Sequence, residues 1–201
     1  MILRLEEEKD YFENVNLTRE AFWNVYRPGC DEHLLHRNVR NVAAYLKDLC
    51  YVAEEDGKLV GNIVYTKMWK DGNLCDEVIC FGPLSVLPEK QKQGVGSVLV
   101  QETLKKAKEL GFKAVLITGN PDYYHRFGFS SATKLGVRLP DIAEGDEASY
   151  FMAIELEEGY LKNHTGIYDF DPVYVPNQEE LEEFEKQFPV KVKREPGPYD
   201  L

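Results

Sequence analysis

The sequence predicts an α/β fold of the α+β type, a mixed central sheet with helices on both faces. Three observations carry that expectation. Asp56-Gly57, set between two apolar runs, reads as a tight hairpin turn. An apolar run at 78–86, a glycine turn, an amphipathic stretch and a second apolar run at 113–118 follow in that order. A strand–helix–strand crossover of this kind makes its two strands parallel. The hairpin gives an antiparallel pair and the crossover a parallel one, and two helical patterns precede them.

Residues 2–5 read as the first strand. Residues 11–26 carry Phe12, Val15, Phe22, Val25 and Tyr26 at helical spacing and stop at Pro28-Gly29. Asp31 reads as the N-cap of a second helix through residue 46, with Leu34, Leu35, Val39, Val42, Ala43 and Leu46 on its apolar side. Residues 49–54 and 59–68 flank the hairpin turn, and Asp71-Gly72-Asn73 leads into a long strand at 74–86. Gly82-Pro83 interrupts that strand, because proline donates nothing to a ladder. The next helix spans 94–110, with Val95, Val98, Leu99, Leu104, Ala107 and Leu110 as its buried stripe and Gly111 as its stop. After the strand at 113–118 come a short helix or turn at 121–127 and a strand at 149–156.

Composition changes at Glu157. Residues 168–175 are aromatic and strand-like, and Asn177 with Glu180 three residues on reads as a helix start. Leu181, Phe184 and Phe188 make the narrow apolar stripe of a short helix that Pro189 halts. The expected division is a main domain at 1–156 and a C-terminal extension at 157–201, a strand plus a short amphipathic helix docked on that domain.

Length and charge narrow the classes. The 201 residues suffice for one domain with a full core. A formal net charge of −11 argues against nonspecific nucleic-acid binding and fits a cationic substrate such as an amine. The N-terminal stretch lacks the pattern of a signal peptide, and no apolar run has membrane-spanning length. Cys30, Cys50, Cys75 and Cys80 form no CxxC pair and read as free thiols, which places the chain in a reducing cytoplasm. His33, His36, His125 and His164 lack partners at ligand spacing, so no metal is expected.

The stretch richest in chemistry is Gln91-Lys92-Gln93-Gly94-Val95-Gly96-Ser97, between strand and helix. A helix start presents unpaired N–H groups and positive dipole, and glycines let an anion approach the backbone closely. A P-loop requires Gly-Lys-Ser or Gly-Lys-Thr, and neither occurs. A dinucleotide fingerprint requires a third glycine, where this chain has Leu99. What remains is Gln91-x-x-Gly94-x-Gly96, which matches the Q/R-x-x-G-x-G/A pyrophosphate motif of the GNAT N-acetyltransferases.

The order of elements over residues 2–156 resembles the GNAT acyl-CoA N-acyltransferase fold. Gly82-Pro83-Leu84-Ser85-Val86-Leu87-Pro88 before the motif and Pro121-Asp122-Tyr123-Tyr124-His125-Arg126-Phe127-Gly128-Phe129 after it are similar to the YhbS-like branch of that family. The resemblance implies acetyl-CoA as the acyl donor, with no metal. It implies that the parallel strands 4 and 5 splay apart, so that backbone groups of Leu84, Ser85 and Val86 face the pantetheine arm. It also implies that the N–H groups of Lys92, Gln93, Gly94, Val95, Gly96 and Ser97, with Gln91, cradle the pyrophosphate. Many members place an asparagine about two helical turns before a conserved tyrosine. Here Asn120 precedes Tyr124 by four residues with Pro121 between them, so the helix is shortened and Asn120 is the position left to contact the cofactor.

Direct attack of an amine on a thioester requires a neutral amine, an oxyanion donor and a proton for the thiolate. The resemblance implies the N–H near Val86 as the oxyanion donor and Tyr124 as the general acid, a phenol that stays protonated at neutral pH. Glu77 is the candidate base, with Asp76 the alternative; period-two alternation puts the two on opposite faces. The acceptor is a small-molecule amine or a protein lysine, met by a monomer or homodimer with no nucleic-acid or membrane partner. Arg27, His36, Arg37, Tyr65 and Trp69 are candidates to line its pocket, with residues 168–174 closing over it. The competing reading is a noncatalytic acyl-CoA-binding regulatory module.

Overall fold

In a computed structural model, residues 1–197 are described. The chain runs β1 (Ile2–Leu5), α1 (Tyr11–Phe22), α2 (Glu32–Asn38), β2 (Tyr51–Glu55), β3 (Lys58–Lys70), β4 (Asn73–Val86), α3 (Val95–Glu109), β5 (Ala114–Thr118) and α4 (Pro121–Tyr124). It continues through β6 (Ser130–Ser131), β7 (Val137–Arg138), β8 (Phe151–Glu155), α5 (Tyr160–Asn163), β9 (Gly166–Asp169) and α6 (Gln178–Glu185). The main sheet has the order β1-β2-β3-β4-β5-β8-β6. All its neighbours are antiparallel except β4 and β5, the pair joined by the α3 crossover.

Alternation along β3 sends its two faces to different helices. Ile63 and Tyr65 join Leu99, Val100, Leu104 and Ala107 of α3 in the largest apolar cluster. Asn62 and Val64 point the other way, toward α1 and α2. Helices therefore cover both faces, as expected, and both hairpin turns form with Asp56, Gly57, Asp71 and Gly72 at positive φ.

Three segments depart from the sequence reading. The first helix ends at Phe22 and not at 26, because Asn24 turns left-handed and bonds back to Gly29. The second helix ends at Asn38 and not at 46. Beyond it Leu46 N–H donates to Tyr65 O and Lys67 N–H to Ala44 O, so the chain is drawn out along the edge of β3 that β2 leaves free. The strand expected at 168–175 stops at Asp169. Pro172 has no N–H to give, and Asp171 caps a tight turn at Pro172–Tyr174 by accepting from Val173 N–H.

The end of the chain packs into the rest. β9 pairs with β3, Trp69 opposite Asp169 and Lys70 opposite Tyr168. Asn177 caps α6 by accepting from Glu180 N–H, and Leu181, Phe184 and Phe188 bury against Val15 of α1 and Leu34 of α2. The buried Arg19 guanidinium donates to both carboxylate oxygens of Glu185, at 2.9 and 2.8 Å. Burial opposes the charge on Glu185, yet the Arg19 bonds prevail and hold its carboxyl below the ordinary range. His33 Nε2 lies 2.7 Å from Glu185 Oε1 but out of line for a hydrogen bond. Burial pushes this imidazole down to about 4, against the pull of the carboxylate.

A folded-state value below the unfolded one has a fixed sign. Between the unfolded pKa of about 6.5 and the folded value near 4, the unfolded chain holds the extra proton, and stability falls as pH falls. Urea unfolding at pH 4.5, 5.5 and 6.5 should therefore show a slope in His33→Gln that is shallower by up to about 1.4 kcal/mol per pH unit. Equal slopes would mean that His33 titrates alike in both states.

Candidate active site

The site begins where two paired strands separate. β4 and β5 share three registered positions: Val78 with Ala114, Ile79 with Val115 and Cys80 with Leu116. Past these, β5 continues only with β8, Ile117 opposite Met152 and Thr118 opposite Phe151. β4 continues only with β3, Leu84 opposite Ile63, Ser85 opposite Asn62 and Val86 opposite Gly61. Residues 82–86 thus present one ladder edge to a gap. The sequence places that parting at Gly82-Pro83, and there the register against β3 also slips.

Beyond β4 the chain turns into α3. Gly94 is its N-cap at φ +91°, and Lys92 is also left-handed at φ 59°. A side chain at 94 would meet nothing within 4 Å, so glycine is needed there for its backbone alone. The first helical bond runs from Val98 N–H to Gly94 O, which leaves the N–H groups of Val95, Gly96 and Ser97 without intrahelical acceptors. Two predicted residues hold the turn rather than point from it. Gln91 Nε2 donates to Val86 O at 3.1 Å, and Gln93 Nε2 donates to Glu89 O at 2.7 Å. The Lys92 side chain is exposed.

At Gly96 the requirement is space. A Cβ there would lie 2.9 Å from the Tyr123 hydroxyl oxygen and 3.5 Å from Val86 Cγ2. α4 is therefore packed against the start of α3, with Arg126 over the Tyr123 ring. Gly119 has the same meaning for Tyr124, whose ring carbon Cε2 would meet an added Cβ at 2.6 Å. Gly119 carries no expectation from the sequence, and Tyr123 and Arg126 enter there only as members of the 121–129 stretch, with no role of their own. A glycine directly after β5 was the one available signal.

Tyr124 stands where the strands part. Its ring packs against Phe81, the first residue of β4 past the last β4–β5 pair, with centroids 5.8 Å apart. Phe129 at 5.8 Å and Tyr123 at 4.9 Å complete an aromatic box that fixes the ring. Burial, then the neighbouring Tyr123 and Tyr26, pushes the Tyr124 hydroxyl well above an ordinary phenol. It remains a proton donor across the neutral range.

The remaining candidates lie elsewhere. Asn120 spends its side chain as the N-cap of α4, accepting from Asp122 N–H at 2.9 Å. Glu77 precedes the paired stretch of β4, about 13 Å along the strand from Phe81 at roughly 3.3 Å per residue. Its carboxylate accepts from the Tyr160 hydroxyl at 3.0 Å, so the structure does not bring Glu77 to Tyr124. Asp76 is exposed and paired with Lys67. Two of the acceptor candidates prove to be interior: Tyr65 bonds to Thr103 within the core, and His36 is enclosed against Thr18 and Glu6. Among the described residues, no group of three or more His, Cys, Asp or Glu is placed to hold a metal ion, and no helix is long and apolar enough to cross a membrane.

Comparison with known proteins shows the family and the fold. The profile of the Acetyltransferase (GNAT) family matches residues 15–129, and the chain belongs to that family. Its fold is that of the family, an open mixed sheet in which β4–β5 is the parallel pair of the main strand order and the short β7–β9 contact is a second. Three of the likenesses follow. The structure of the GNAT N-acetyltransferase YhbS from Escherichia coli in complex with CoA superposes with a TM-score of 0.76 at 26% identity, over 87% of this chain and 92% of that one. A GNAT acetyltransferase from Brucella melitensis in complex with acetyl-CoA gives 0.67 at 25% identity, over 86% and 97%. In sequence, the uncharacterized N-acetyltransferase YjhQ of E. coli K12 is 33% identical over 95 residues, 44% of this chain and 52% of YjhQ. The chain thus matches about half the length of YjhQ.

Gly96→Ala should weaken acetyl-CoA binding by about tenfold or more, since the new methyl displaces either Tyr123 or the backbone it adjoins. Adding Tyr123→Phe removes the hydroxyl in the way and should recover most of the loss in calorimetric titration. Undiminished affinity in the single variant would dissociate Gly96 from the donor site.

Proposed function

We propose that the chain transfers the acetyl group of acetyl-CoA to a primary amine by direct attack on the thioester. The observation that carries this reading is the coincidence of three features at one place: the open edge of β4, the N–H groups at the start of α3, and the Tyr124 hydroxyl at the parting of the strands. An open ladder edge is what an extended amide-bearing arm pairs with, and N–H groups at a helix start suit a pyrophosphate. Leu84, Ser85 and Val86 would hold the arm, and Gly94, Val95, Gly96 and Ser97 the phosphates. In the bound state acetyl-CoA supplies an electrophilic carbonyl and a thiolate leaving group.

The chain supplies the rest. The Val86 N–H donates to the carbonyl oxygen as negative charge collects there. The Tyr124 hydroxyl gives its proton toward the departing sulfur and regains one from the acetylated product's nitrogen through water. Balance is kept: one N–C bond forms, one C–S bond breaks, and one proton moves from nitrogen to sulfur. An acyl-cysteine route through Cys80, the β4 thiol next to the parting, is disfavoured, because the side chain is fully buried and burial pushes its thiol up to about 11. Glu77 is assigned no role as base, since Tyr160 occupies its carboxylate. The acidic balance of the chain, −11 overall, favours a cationic acceptor over an anionic one. The extension at 157–201 is taken as part of the same folded unit, because β9 pairs with β3 and α6 packs on α1 and α2.

The test is release of free CoA thiol from acetyl-CoA across a panel of small amines and lysine peptides. Tyr124→Phe should lower kcat about 100-fold while acetyl-CoA binds within about twofold of the native value. Equal turnover would remove Tyr124 from the mechanism. Tight acetyl-CoA binding by the native chain without turnover on any amine would favour the noncatalytic regulatory module.

A further inference from the structure

Opposite the aromatic box, the parting of β4 is gripped from its other face by the C-terminal extension. Between the pairs Tyr65–Phe81 and Ile63–Leu84, β4 advances three residues while β3 advances two, so Gly82-Pro83 forms a bulge. A bulge and an open edge leave the Gly82 carbonyl without a ladder partner in either neighbour. Its partner is the Tyr174 hydroxyl, which donates to Gly82 O at 3.1 Å. The same hydroxyl lies 3.2 Å from Thr66 Oγ1 and 3.6 Å from Cys80 Sγ, between the last paired residue of β4 and the bulge.

Tyr174 is held firmly enough for this. It ends the turn at Pro172–Tyr174, whose cap Asp171 is buried. One Asp171 oxygen accepts from Val173 N–H and the other from Trp69 Nε1 on β3, both at 3.0 Å. The Phe170 ring lies against Tyr174 at 5.4 Å between centroids. Ring carbon Cε1 of Tyr174 stands 3.5 Å from where a Cβ on Gly82 would be. Burial keeps the phenol protonated well above its ordinary range, so it serves as a donor at every working pH.

We propose that Tyr174 is a positioning residue for the donor site: by binding the Gly82 carbonyl it holds residues 82–86 in the parted course that accepts the pantetheine arm. This rests on the reading above that the arm lies along β4. It predicts selectivity within a single ligand, because Tyr174 governs the arm and not the phosphate cradle at α3.

The experiment titrates acetyl-CoA and 3′-phosphoadenosine 5′-diphosphate, which has CoA's nucleotide and pyrophosphate but no pantetheine, into the native chain and Tyr174→Phe. Phenylalanine keeps the ring and its packing, and a melting curve of each protein verifies the fold. Loss of one buried hydrogen bond should raise the acetyl-CoA Kd about tenfold and leave that of the pantetheine-free diphosphate within about twofold. Equal effects on both ligands, or none on acetyl-CoA, would overturn the proposal. Failure of the native chain to bind acetyl-CoA would overturn the donor-site reading itself, and the proposal with it, and is recognised before any variant is made.

Discussion

Only three residue pairs join β4 to β5, and everything that gives this chain a site follows from the ladder stopping there. A strand edge inside a domain is costly to leave unpaired, since each buried backbone group without a partner loses about 1–3 kcal/mol. The chain tolerates such an edge over residues 82–86 because β4 is secured elsewhere. β3 pairs along its far edge. On one face Phe81, Leu84 and Val86 pack with the α3 cluster and the aromatic box around Tyr124. On the other, Tyr174 takes the Gly82 carbonyl.

That second face is unusually polar for an interior. Ser85 Oγ and Asn62 Nδ2 both reach Thr18 Oγ1 of α1 at 3.1 Å, and Thr18 lies 2.8 Å from His36 Nδ1. Thr18, His36, Asn62 and Ser85 are all buried. Glu6 closes the network; burial raises its carboxyl, but His36 and Arg40 outweigh it and bring it down to about 2. Apolar packing alone would let β4 slide or rotate against α1. A network of directional bonds centred on Thr18 fixes both its register and its face. Ser85 therefore has two separate duties: its backbone borders the gap, and its side chain ties the strand to α1.

The parts of the fold legible in the sequence were those set by local physics. Asp56-Gly57 and Asp71-Gly72 need positive φ, Gly94 needs it at a helix start, Asn177 caps α6, and each of these was visible as residue chemistry. The stripe Leu181, Phe184 and Phe188 likewise announced a docked helix. What the sequence hid was set by tertiary partners. Residues 42–46 have a helical apolar pattern, but the free edge of β3 claimed their backbone. Glu77 lies on the right strand, yet Tyr160, 83 residues on, takes its carboxylate. Tyr174 reads as one aromatic among several in a strand-like run, and only the turn capped by Asp171 brings it to Gly82. Spacing could mark Tyr124, whereas no spacing could mark a contact across 92 residues of chain.

The central claim is that the donor lies in the gap between β4 and β5 with its phosphates at the start of α3. Backbone amide chemical shifts, followed by NMR as CoA is titrated into the chain, test it most directly. The largest shifts should fall on Leu84, Ser85, Val86, Val95, Gly96 and Ser97, with Glu77 and Lys113 at the paired end of the same strands nearly unmoved. Shifts confined to other surfaces, with 84–86 unperturbed at saturation, would contradict it.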